Sequence, residues 1–148
     1  MLNVIFTNGC GELNTTNVSE NINCLLIDDD LDDHEFFSQA MKDNYPLVDC
    51  DFATNRQEVI SGLENHSIQV PQYIFMDWSM PNIGAEDYIR QLHELVCLKD
   101  SRIFILSGYL PELTNQNMRE LGIEKFLLKQ NSIGLLSKEL DQAFRRIA

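Results

Sequence analysis

The feature that most constrains this chain is a texture that repeats five times from Asn23 onward. A short apolar run is followed each time by apolar residues at helical spacing. "CLLI" precedes a stripe of Phe36, Phe37, Ala40 and Met41, and "VDCDFA" precedes Val59, Ile60 and Leu63. "YIFM" precedes Tyr88, Ile89, Leu92, Leu95 and Val96, and "RIFIL" precedes a weakly amphipathic stretch over 111–121. "KFLL" precedes Ile133, Leu136, Leu140, Ala143, Phe144 and Ile147. Continuous apolar runs of this length suit strands buried on both faces. Five strand–helix units in succession predict a doubly wound, five-stranded parallel sheet with helices on both sides. Residues 1–21, rich in Asn, Thr and Gly, read as a flexible lead-in, and 22–148 as one α/β domain.

In such a fold the ligand site lies beyond the carboxyl ends of the strands. The first run ends in Asp28-Asp29-Asp30, the third in Asp77, the fourth in Ser107 and the fifth in Lys129. Carboxylates brought together repel, and an oxygen-preferring divalent cation, Mg²⁺ above all, relieves the repulsion. A carboxylate beside Mg²⁺ is able to attack a phosphoryl group and form an acyl phosphate. A lysine then neutralises the phosphoryl oxygens and a hydroxyl donates to one of them. Together these residue types make a phosphoryl acceptor.

The remaining acids of "LLIDDDLDDHEFF" divide by position. Asp32 and Asp33 suit the N-terminus of a helix, where negative charge meets the dipole, and Asp30 suits helix entry. His34, His66 and His93 read as surface residues, and Trp78 as a packing or loop residue. An EF-hand fails, because Asp33 and Gln39 stand where that loop needs glycine and glutamate. The net charge of −12 argues against nucleic acid as a direct partner. No run is long enough for a membrane span. Four cysteines lack metal-site spacing and read as reduced thiols of a cytoplasmic protein.

With "LLIDD", "MDWSMP", "ILSG" and "FLLKQ" in this order, the chain resembles the receiver domain of two-component response regulators, including the single-domain chemotaxis type. The intervals from Asp77 to Ser107 and to Lys129 match that type. The resemblance implies a signalling switch, not an enzyme, that takes a phosphoryl group on Asp77 from a histidine kinase or phosphotransfer protein. It implies Mg²⁺ held by Asp29, Asp77 and the Ser79 backbone carbonyl, with Asp28 acting largely through water. Ser107 and Lys129 would bind the phosphoryl group, Ser107 and Phe126 would switch, and Ser79 and Tyr109 would tune dephosphorylation. The 111–148 face would then signal to a separate protein in trans, and would be the face to dimerise. With no chain left for an output domain, a stand-alone receiver is expected.

Two departures stand out. Gln130 follows Lys129 where the family has a cis proline, and a cis bond before any other residue costs about 3–4 kcal/mol. Either a trans loop or a strained one is therefore expected. Gly84-Ala85 replaces Asp-Gly, which predicts a shifted turn. Two rival readings remain: a haloacid-dehalogenase-like phosphatase with Asp28 as nucleophile, and a receiver-like binding module that needs no phosphorylation.

Overall fold

The computed structural model of the protein describes residues 22–79, 84–109 and 112–144. Five strands alternate with five helices: β1 (Asn23–Ile27), α1 (Leu31–Asn44), β2 (Asp49–Ala53), α2 (Arg56–Glu64), β3 (Tyr73–Asp77), α3 (Ala85–Glu94), β4 (Arg102–Ser107), α4 (Asn115–Leu121), β5 (Ile123–Leu128) and α5 (Ile133–Phe144). All pairings are parallel and the sheet order is β2-β1-β3-β4-β5. The expected doubly wound sheet is present, and its order reverses between β1 and β3, which sets a crevice at their carboxyl ends.

Alternation along each strand splits the core in two. Leu25, Ile27, Ile74, Met76, Ile103 and Ile105 face the side covered by α2, α3 and α4. Leu26, Tyr73, Phe75, Phe104 and Leu106 face α1 and α5. That second side is aromatic. Phe75 sits at its centre, 5.2 Å from the Phe37 ring, 5.5 Å from Phe104 and 5.6 Å from Phe144. Truncating so enclosed a ring to alanine costs about 3–5 kcal/mol. Sheet and aromatic layer together give the strand ends a rigid base.

Helix starts follow local chemistry. Asp30 caps α1 by accepting from the Asp32 N–H at 2.9 Å, and Asn55 caps α2 by accepting from Glu58 N–H. Thr114 and Asn117 form a reciprocal capping box that starts α4 at Asn115, so this helix is shorter than the stretch 111–121 suggested. Helix α3 ends at Glu94. Leu95 takes extended backbone but still packs against the core that Tyr88, Ile89 and Leu92 fill, whereas Val96 opens a 3-10 turn with its side chain exposed and leaves the α3 stripe.

Cys24 and Cys50 are free, their sulfurs 3.0 Å apart across β1 and β2. Among the described residues no peptide bond is cis, so the chain passes from Lys129 to Gln130 in trans. The lead-in 1–21, most of the loop before Gly84-Ala85 and Ile147 lie outside the described residues.

Candidate functional site: an acidic pocket around Lys129

Three strand ends deliver the central groups. Asp28 follows β1 and is fully buried, and Asp77 closes β3 at 5% exposure. Lys129 follows β5, and its backbone N–H donates to the Ser107 carbonyl at 2.7 Å, which ties the end of β5 to that of β4. The Lys129 ammonium lies 3.0 Å from Asp28 Oδ2 and 3.3 Å from Asp77 Oδ1. A third carboxylate is nearer still: Asp33 Oδ2, on the first turn of α1, at 2.6 Å.

Asp28, Asp29 and Asp77 each offer a carboxylate oxygen, all within 4.8 Å of one another. Asp29 is exposed and completes the rim of the pocket. Asp28 Oδ1 accepts from the Asp30 N–H at 3.0 Å. Its Oδ2 is buried and faces the Lys129 ammonium at 3.0 Å. An all-oxygen, all-anionic donor set of this kind fits a hard divalent cation.

Electrostatics follow from burial. Desolvation pushes the Asp28 carboxyl up to about 6. The Asp30 N–H and Lys129 pull it down, and the nearby Asp77 charge adds to the rise. Burial acts to lower Lys129, but Asp33, Asp28 and Asp77 together hold it well above the ordinary lysine value. The ammonium is therefore a fixed positive charge among four carboxylates. The pocket stays strongly anionic.

Ser107 is buried, and its Oγ accepts from the Tyr109 N–H at 3.3 Å, which leaves the hydroxyl proton able to turn elsewhere. The Ser79 N–H donates to Asp77 Oδ1 at 3.2 Å. Tyr109 is 57% exposed beside the pocket. Phe126 is half-buried and meets Trp78 edge to face. Trp78 is thus a packing residue, as its place in the sequence suggested.

Three contributors escaped the sequence reading. Asp33, expected to serve the helix dipole, pairs with Lys129. His34, expected at the surface, is half-buried, stacks on Phe52 at 5.4 Å and donates from Nε2 to the Asp28 carbonyl at 2.6 Å. Glu139 on α5 accepts from the Leu128 N–H at 3.3 Å and from Gln130 Nε2 at 3.5 Å, so it steadies the loop that carries Lys129. Nothing in the pattern marks these three roles.

Residues 24–141 match the family described as Response regulator receiver domain. The chain belongs to that family. It is a signalling module of the two-component type, not an enzyme, so the phosphatase reading with Asp28 as nucleophile falls. Solved structures agree on the fold. Chemotaxis response regulator CheY4 of Vibrio cholerae is similar at a TM-score of 0.65 and 17% identity, over 82% of this chain and 97% of that one. The phosphorylated cyanobacterial phytochrome response regulator RcpA gives 0.69 and 15%, over 86% and 96%. A Burkholderia pseudomallei response regulator holding a phosphorylated aspartic acid, a calcium ion and citrate gives 0.62 and 19%, over 85% and 70%. No curated protein matches the chain. Receiver domains partner with histidine kinases, and the Asp28, Asp29 and Asp77 cluster is consistent with the divalent metal site typical of them. Among the described residues no helix is long and apolar enough to cross a membrane.

Proposed function

We propose that residues 22–148 act as a cytoplasmic phosphorylation switch whose acceptor is Asp77. The observation that carries this reading is the convergence of Lys129 on Asp28 and Asp77 at the strand ends, with Asp29 beside them. A carboxylate oxygen of Asp77 attacks the phosphorus of a phosphohistidine on a partner kinase or phosphotransfer protein. The P–N bond breaks, the imidazole leaves neutral after taking a proton, and an acyl phosphate forms on Asp77. Asp29, Asp77 and the Ser79 carbonyl would hold Mg²⁺, with Asp28 acting largely through water, and the ion would supply charge neutralisation for the phosphoryl oxygens.

The chain's own groups do the rest. Lys129 is charged at every physiological pH and supplies the second neutralising charge. Ser107, its hydroxyl proton uncommitted to Tyr109, turns to donate to a phosphoryl oxygen. Phe126 follows inward behind it. Helix α4 then shifts, and only Leu121 of its seven residues is buried, which fits an element held weakly enough to move. Output passes through the 111–148 face to a separate protein, and the same face would pair two copies. Ser79 and Tyr109 flank the path of an incoming water, and Tyr109 slows hydrolysis by hindering it.

The test uses beryllofluoride with Mg²⁺ as a phosphoryl mimic. A receiver gains a Mg²⁺-dependent change in α4 amide resonances that Asp77→Asn abolishes. A response that survives Asp77→Asn, or target binding indifferent to the mimic, would favour a module that needs no phosphorylation.

A further inference from the structure

Lys129 has three carboxylate partners among the described residues, and the shortest contact is to the one outside the metal cluster. Asp33 Oδ2 lies at 2.6 Å, against 3.0 Å for Asp28 and 3.3 Å for Asp77. The distinction has a physical consequence. A divalent cation in the cluster competes with Lys129 for Asp28 and Asp77, because both cations draw on the same two carboxylates. It does not compete for Asp33. Once the cluster is loaded, Asp33 is the carboxylate whose hold on the ammonium the metal does not weaken.

The pair is also sheltered. Asp33 and Lys129 are 33% and 23% exposed, in a groove flanked by Phe36, Leu106 and Leu136. Partial exclusion of water strengthens such a pair beyond the small value of an open surface bridge. A phosphoryl group on Asp77 needs the same ammonium. Asp33 is anchored on α1, so whatever it retains of Lys129 is withheld from the phosphoryl oxygens.

Resting on the reading of Asp77 as acceptor, we propose that Asp33 is a positioning residue that acts through Lys129. It holds the ammonium toward α1 in the unphosphorylated chain and competes with the phosphoryl group for it. Asp33 thereby lowers the affinity of the site for phosphoryl groups and biases the switch toward its resting state.

The experiment measures the Kd of beryllofluoride at saturating Mg²⁺ for the wild type, Asp33→Asn, Asp33→Glu and Asp32→Asn. Asp32 shares the first turn of α1, so it controls for net charge and for the helix dipole. Asp33→Asn is expected to bind about three- to tenfold tighter, the range of one partly sheltered ion pair. Asp33→Glu restores the wild-type value, and Asp32→Asn stays near it. Binding by Asp33→Asn that is unchanged or weaker overturns the proposal, as does an equal gain in Asp32→Asn. A wild type that fails to bind at all overturns the reading of Asp77 and this proposal with it. A wild type that binds, with Asp33→Asn no tighter, removes this proposal alone.

Discussion

Trp78 and Phe126 meet edge to face, their ring centroids 5.3 Å apart and their planes at 68°. Trp78 directly follows Asp77, and Phe126 lies on β5 just before Lys129, so the contact joins the two sides of the pocket. A ring pair of this kind contributes about 0.5–1.5 kcal/mol, little enough to be given up in a switch. Trp78 is the sole tryptophan of the chain. Its emission is therefore expected to change when beryllofluoride and Mg²⁺ turn Phe126 inward. Phe126→Leu should still bind the mimic but lose most of the emission change. An unaltered signal in that variant would mean that Phe126 does not move.

The buried Asp28 carboxyl makes stability depend on pH. In the metal-free chain it is raised by burial from 3.8 to about 6. The folded state then holds its proton more tightly than the unfolded chain. This contribution is fully present below pH 3.8 and is lost as pH rises through about 6. Its full span is at most about 3 kcal/mol. Asp28→Asn mimics the protonated form, and should raise the metal-free unfolding free energy by about 1–2 kcal/mol near neutral pH and leave it unchanged near pH 4. Urea unfolding at both pH values checks it. A destabilised variant near neutral pH would show that pairing with Lys129 outweighs the burial cost.

Removing the central cation should expose its role. Lys129→Met leaves Asp28, Asp33 and Asp77 without their shared ammonium. The metal-free variant is expected to lose about 1–3 kcal/mol, since a buried carboxylate stripped of its partner is costly. Mg²⁺ should raise the melting temperature of both proteins by binding only the folded state, and should narrow the gap between them. A deficit that Mg²⁺ leaves untouched would mean the cluster does not take the metal.

Two glycines should respond with opposite sign. Gly122 ends α4 at φ +70, and a Cβ there would come within 2.6 Å of His93 Nε2, so Gly122→Ala should cost about 1–2 kcal/mol. Gly134 lies inside α5 and a Cβ there would meet nothing within 4 Å, so Gly134→Ala should gain about 0.5–1 kcal/mol. Thermal unfolding of the two variants decides both.

The fold was legible because strands buried on both faces leave unbroken apolar runs, as "YIFM" and "RIFIL" do. The acids and the lysine were legible because those runs end on them. Asp33 was not, since an acid in a helix's first turn has a sufficient local reason to be there. His34 was missed for a related cause: its bond to the Asp28 carbonyl depends on how α1 lies across β2, where Phe52 supplies the stacking face. The start of α4 was misplaced because the Thr114–Asn117 box, a side-chain signal, overrides the weak apolar spacing before it. The trans bond at Lys129–Gln130 follows from the missing proline.

The most direct test of the central claim is intact-mass and peptide-level analysis after incubation with acetyl phosphate and Mg²⁺. The structure predicts a single phosphoryl adduct on Asp77, absent without Mg²⁺ and absent in Asp77→Asn. An adduct on Asp28, or one that persists in Asp77→Asn, would contradict it.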